Sequence, residues 1–222
     1  MSRRSLVLNN PGYIAPLSRG TWKPTRFSWS SNLRRRWSTA VSGQSTPSGE
    51  QVTRLLAVVY ADIAGYSRLF ALDDIGTVAR LRSLHQDRIR PAIVRFQAQF
   101  VQITGDSILL LFETVGQAVE CAVSIQSQLL IDEYPWPDDR RMRLRIGVDV
   151  GDVIMDGVNF HSDGVIVASR LQAVCPPGAI CVTRTVHERG AERLGLPVEA
   201  IGPLALKGVA HPVEAFVLWP PS

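Results

Sequence analysis

The stretch Leu55–Ser67, LLAVVYADIAGYS, decides how this chain is read. Leu55 to Ala61 form an unbroken apolar run of strand length, as expected of a strand buried on both faces, and Asp62 ends it. Nothing comparable precedes it. The change from a Ser-, Pro- and Arg-rich segment to a continuous apolar run marks the start of the folded region.

Downstream, a helix is predicted from about Asp73, capped by Asp73 or Asp74, with Ile75, Val78, Leu81 and Leu84 at near-helical spacing. Pro91 should bend or divide it. Phe100–Thr104 and Ser107–Phe112 are strand-like and flank Gly105-Asp106, which predicts a hairpin. Val115, Ala118, Val119, Ala122, Ile125 and Leu129 mark an amphipathic helix able to cover one face of a sheet. Met142, Leu144, Ile146, Val148 and Val150 alternate with Arg143, Arg145, Gly147 and Asp149, a period-2 strand; Gly151-Asp152 then reads as the turn of a second hairpin toward Val153–Met155. A helix near 163–174, a short strand at Ala179–Thr183 and two strand-like runs around Lys207-Gly208 complete the order. That succession predicts an α+β fold, a mixed sheet with helices on one side.

The 222 residues, 45% of them apolar, fit one domain plus a tail. Residues 1–52 read as a disordered basic Ser/Arg-rich tail and residues 53–220 as the domain. Residues 1–50 carry eight Arg and Lys against one acid, Glu50, so the net charge of +4 arises in the tail and the body is net acidic. The body is therefore not a nucleic-acid surface. In the tail, Trp22, Trp29 and Trp37 interleave with arginines, and the composition is that of a transit peptide; a solvated tail is the simpler account, and no nucleic-acid partner is expected. No apolar run approaches the roughly 20 residues that span a bilayer. Cys121, Cys175 and Cys181 are odd in number and lack CxxC spacing, which argues against a disulfide framework or zinc cluster and for a cytoplasmic location. His85, His161, His187 and His211 are scattered without metal-ligand spacing.

Asp62 at the end of the first strand and Asp106 in the first hairpin turn converge if those strands are neighbours. Two carboxylates at strand ends suit hard cations such as Mg²⁺ or Mn²⁺, which take oxygen ligands and share them with substrate phosphates. Taken alone, the same residues also fit a strand end and an ordinary Gly-Asp turn. The wider frame distinguishes the two. Val59–Ser67, then Thr104-Gly105-Asp106, then Arg145-Ile146-Gly147, then Val167-Ala168-Ser169-Arg170-Leu171 follow in an order and spacing that resembles the class III adenylate/guanylate cyclase catalytic domains, over about Leu55–Leu218.

The resemblance implies a ferredoxin-like α+β domain acting as a homodimer or cyclase heterodimer, with sites built from both chains and a lone subunit inactive. It implies that Asp62 and Asp106, with the backbone carbonyl of Ile63, hold two Mg²⁺ or Mn²⁺ ions, and that amides of Gly65, Tyr66 and Ser67 receive the terminal phosphates. It implies catalytic roles for Arg170, on the α-phosphoryl charge, and for Lys207, on phosphate. The reaction implied is conversion of ATP, or less favoured GTP, to the 3′,5′-cyclic nucleotide and pyrophosphate.

Three positions depart from the family pattern. Gln102 and Asn159 stand where adenylate cyclases carry a base-reading Lys and Asp; two amides can each donate or accept, so both purines fit and discrimination weakens. Ile166 stands four residues before Arg170, where the family has a ribose-positioning Asn, and an isoleucine offers no hydrogen bond. Turnover reduced about ten- to a hundredfold is expected if that contact is worth about 1.4 to 2.7 kcal/mol. The alternative is a degenerate, non-catalytic domain that binds nucleotide or regulates a heterodimer.

Overall fold

The structure is a computed structural model and describes residues 28–29, 52–156 and 159–221. The rest of the basic tail, and with it the expected disorder, lies outside the described residues. Ser28–Trp29, expected to be part of that unstructured tail, instead forms a short strand, β1, paired antiparallel with β3 (Phe100–Thr104). This pairing covers part of the outer edge of β3.

The centre of the sheet is β2 (Val52–Ile63). On one side it pairs with β4 (Ser107–Phe112), from Ala57↔Phe112 to Ala61↔Ile108. On the other it pairs along its whole length with β5 (Leu144–Asp156), from Val52↔Met155 to Ile63↔Leu144. With β6 (Asn159–Ser162), β7 (Ile180–Thr183), β8 (Val198–Leu204) and β9 (Val213–Leu218), the strand order is β1-β3-β4-β2-β5-β7-β9-β8, with β6 attached to β5. Only the β5–β7 pairing is parallel among the described strands.

Helices α1 (Tyr66–Leu72), α2 (Asp74–Ser83), α3 (Arg90–Arg95) and α4 (Val115–Glu133) form a helical layer on one side, as the order of elements predicts. Ala57, Val59, Ala61, Ile108, Leu110, Ile146 and Val148 meet Ala118, Ala122, Ile125 and Leu129 of α4 in the main core. Thr114 starts α4 with a capping box, its hydroxyl accepting from the Gln117 N–H at 3.2 Å. The alternate residues Leu56, Val58, Leu109, Leu111 and Val153 face the other way, where α5 (Asp163–Val174) covers them with Ala168 and Val165. Burial on both faces is why β2 reads as an uninterrupted apolar run.

Three local expectations need correction. First, Gly151-Asp152 is not a turn: β5 runs through it to Asp156, and the hairpin partner is β6, paired from Val153↔Ser162 to Asp156↔Asn159. Gly151 is there for close approach, since a Cβ at that position would lie 3.1 Å from the Gly164 Cα of α5. Second, the apolar positions Ile75 and Val78 of α2 are exposed, at 80% and 39%, and the buried side is Thr77, Leu81 and Leu84. Thr77 can be buried because its hydroxyl donates to the Leu69 carbonyl at 3.0 Å. Third, the first strand continues to Ile63, so Asp62 is still inside the ladder. Pro91 does divide the helix, as expected: a wide turn over Leu84–Ile89, closed by the Arg90 N–H on the His85 carbonyl, carries the chain past the missing proline donor into α3.

Gly147 sits in the middle of the sheet, opposite Tyr60 and Cys181. A Cβ there would stand 2.0 Å from the Ala168 carbonyl oxygen and 2.6 Å from the Gln172 nitrogen, so the α5 backbone rests directly on the strand. Gly147→Ala is expected to cost about 3 kcal/mol or more in denaturant unfolding, because rigid backbone must move. Gly105→Ala, with φ +63° and nothing within 4 Å, should cost only about 1 kcal/mol.

Candidate active site

Register assembles the first group of side chains. Asp62 pairs directly with Arg145 across β2–β5, and the β2–β4 register brings it level with Ser107, next to the Gly105-Asp106 turn. The Arg145 fork closes on the carboxylate, Nε donating to Oδ1 at 3.1 Å and Nη2 to Oδ2 at 3.0 Å, while Nη1 reaches the Ala173 carbonyl of α5 at 3.5 Å. Burial holds the Asp62 carboxyl above its ordinary pKa; the Arg145 charge and hydrogen bonds oppose this, the Asp106 charge adds to it, and the Gln172 side chain lowers it again. Asp62 and Asp106 are therefore within electrostatic reach of each other. Burial, and then the Asp106 charge, also push up the Tyr66 phenol.

Beyond Ile63 the chain stays tied to β5 through the Ala64 N–H on the Arg143 carbonyl at 2.8 Å. Gly65 then takes φ +66° and starts α1, its carbonyl accepting from Arg68 and Leu69 at 3.0 and 3.1 Å. The first-turn amides of Tyr66 and Ser67 have no acceptor within the helix. Asp62, Ile63, Asp106 and the Gly65–Ser67 turn thus share one end of the sheet.

A second group lies at the β8–β9 connection. Arg170 of α5 donates through Nε to the Lys207 carbonyl at 3.0 Å, beside the turn at Gly208, where φ is +80°. Ile166, one helical turn earlier, is 41% exposed, and the Ser169 hydroxyl donates to its carbonyl. A third feature is a groove of about 380 Å³ on the α5 side of the sheet, lined by Tyr60, Gln102, Thr104, Ser107, Leu109 and Val165. Asn159 opens β6 opposite Asp156.

Sequence reasoning gave no role to Arg145 or Gln172. Arg145 was legible in part. On β5, Arg145 shares its parity with Gly147, away from the core positions Leu144, Ile146 and Val148, so a side chain there meets α5 and whatever β2 presents. Replacing Arg145 by Met leaves Asp62 buried beside Asp106 without its cation, and its folded pKa should rise further above 3.8. The native state then holds that proton more tightly than the unfolded chain, so stability is lost as pH rises through the interval above 3.8. Arg145→Met should cost about 1 to 3 kcal/mol at pH 7.5, discounted because both side chains are partly exposed, and less at pH 4.5; urea unfolding at the two pH values checks this.

The sequence model of the adenylate and guanylate cyclase catalytic domain matches residues 49–219. A putative adenylate cyclase of Rhizobium meliloti is 32% identical over 76% of this chain and 29% of its own length. A pH-sensitive adenylate cyclase of Mycobacterium tuberculosis is 28% identical over 79% of this chain and 42% of its own. The chain thus spans less than half the length of these relatives. Among solved structures, an adenylate/guanylate cyclase/hydrolase from Silicibacter pomeroyi superposes with a TM-score of 0.70 at 34% identity, covering 77% of this chain and 99% of the other. An adenylyl cyclase from P. aeruginosa, 16% identical with a TM-score of 0.65 over 78% of this chain and 98% of its own, shares the fold. Among the described residues no helix is long and apolar enough to cross a membrane. With the family model matching most of its length, the chain belongs to the adenylate and guanylate cyclase catalytic domain family.

Proposed function

We propose that this domain converts a purine nucleoside triphosphate, ATP before GTP, to its 3′,5′-cyclic nucleotide and pyrophosphate, in a site completed by a second chain. The observation that carries this is the placement of α5. Gln172 is packed toward Asp62 and β5, while Arg170, about 200° away around the helix, engages Lys207. Within one chain, the acidic group and the basic group flank opposite sides of a helix. A triphosphate touching both therefore calls for two copies, each lending one group.

The donor set fits divalent cations of the Mg²⁺ or Mn²⁺ kind: two hard carboxylates at one sheet end, with the Ile63 carbonyl beside them. Among the described residues no third acidic, His or Cys side chain joins them, so the remaining ligands would be triphosphate oxygens and water. Such ions would supply a lowered pKa at the ribose 3′-hydroxyl and neutralisation of the leaving pyrophosphate. Asp62 and Asp106 would hold them, and the first-turn amides of Tyr66 and Ser67 would receive phosphate oxygens. Arg170 suits the charge that develops on the α-phosphoryl group, because a guanidinium presents several donors in a plane, and Lys207 suits the phosphates. Gln102, in the groove with Thr104 and Ser107, would read the base together with Asn159. Ile166, exposed beside Arg170, favours a second reading in which nucleotide is bound but turned over slowly or not at all.

Incubation of purified protein with Mn²⁺ and each nucleotide tests the activity, with cyclic product expected from the wild type and a loss of at least about a hundredfold in Asp62→Ala and in Arg170→Ala. After subunit exchange half of the dimers are mixed and each mixed dimer has one intact site, so a mixture of the two variants should regain about one quarter of wild-type activity. Product from neither nucleotide would remove the catalytic reading, and an active wild type with a silent mixture would remove the shared site.

A further inference from the structure

Gln172 is 5% exposed, near the end of α5, and its amide nitrogen has no hydrogen-bond partner among the described residues. A buried amide normally finds a partner, because leaving a donor unmet costs about 1 to 3 kcal/mol. The side chain belongs to the turn of α5 that Arg145 ties to Asp62, and a hydrogen bond from it would favour the charged form of that carboxylate. Gln172 cannot drift away: its backbone nitrogen sits in the Gly147 cradle, and Arg145 ties the next residue, Ala173, to the same carboxylate. The Arg145 fork occupies both Asp62 oxygens. Each oxygen keeps a second lone pair on which a cation can bind, but the charge of that cation repels the guanidinium and loosens the fork, and the neutral donor then left to orient the carboxylate from the protein side is Gln172.

We propose that Gln172 is a positioning residue for divalent-cation binding, its buried amide holding Asp62 in orientation as the Arg145 fork gives way to the ion. The inference rests on the cation role proposed above for Asp62. Gln172 touches neither substrate nor ion and acts through the carboxylate, as outer partners of ligating groups do. Gln126 provides a built-in comparison. It is another fully buried glutamine, donating to the Leu144 carbonyl at 3.1 Å from α4 on the opposite face of the sheet, with no approach to Asp62.

The test measures Mn²⁺ binding by electron paramagnetic resonance in the presence of 3′-deoxy-ATP, which lacks the attacking hydroxyl. Gln172→Met, of similar length but without the donor, should bind Mn²⁺ about tenfold more weakly than wild type, and Gln126→Met should bind it unchanged. In assays the half-saturating Mn²⁺ concentration should rise in Gln172→Met by the same factor, while the rate at saturating Mn²⁺ stays within about twofold. If Gln172→Met does not fold, Gln172→Asn, which keeps the amide on a shorter arm, should show a severalfold loss. Wild type that binds no Mn²⁺ with the nucleotide overturns the cation reading itself and this proposal with it. Wild type that binds Mn²⁺, with Gln172 variants binding equally well or with Gln126→Met weakened to the same degree, overturns the positioning role alone.

Discussion

Helix α5 lies backbone against backbone on β5, because Gly147 and Gly151 present no side chain and Gly164 answers from the helix. Most helix–sheet contacts are cushioned throughout by side chains that can repack; at these glycines none intervene, so the helix is fixed in height and rotation. That rotation sends Gln172 inward to Asp62 and Arg170 outward to Lys207. Two chemical groups are thereby held apart by one rigid element, and their separation is a property of the glycines rather than of the polar residues themselves. The same contact explains why β5 runs straight through Gly151-Asp152, where local propensity alone favours a turn.

Around Asp62 three effects compete. Removal from water raises the proton affinity of the carboxylate, the Asp106 charge adds to this, and the bidentate Arg145 contact opposes both; burial is the largest of the three. The site is thus neither a relaxed surface ion pair nor a fully neutralised one, and it would gain from additional positive charge. A guanidinium and a divalent ion crowded onto one carboxylate would repel each other by several kcal/mol at an effective dielectric near 20. Charge from a triphosphate offsets that repulsion. The electrostatics therefore favour an ion arriving together with polyanion over an ion arriving alone, which is the coupling a nucleotide site requires.

Much of the fold was legible in the residues. Phe100–Thr104 and Ser107–Phe112 form the expected hairpin around Gly105-Asp106, and the stripe from Ala118 to Leu129 is the buried side of α4. Local pattern misled where a tertiary contact set the outcome. Gly151 carries a turn residue's identity but serves helix packing, and Ile75 and Val78 are apolar yet exposed because Thr77 satisfies its hydroxyl locally and takes the buried side. At the site, Asp62 and Asp106 could be placed because strand pairing brings them together. Gln172 could not, since its meaning depends on the rotation of α5, which is set by what is missing at Gly147 rather than by anything periodic in the helix sequence.

The departures from the family pattern act on separable steps. Gln102 lies in a groove whose other polar residues, Tyr60, Thr104 and Ser107, are hydroxyls, so that part of the site is neutral and can donate or accept throughout. Under the proposed function, neutral contacts there would bind a purine but discriminate less sharply than charged ones, so the loss would fall on the choice of base. Ile166 is different. It stands on α5 one turn from Arg170, half exposed, and the Ser169 hydroxyl nearby already donates to the Ile166 carbonyl. If the domain acts as proposed, an isoleucine there would weaken the orienting of the sugar for attack, a term that enters the barrier and leaves base selection untouched.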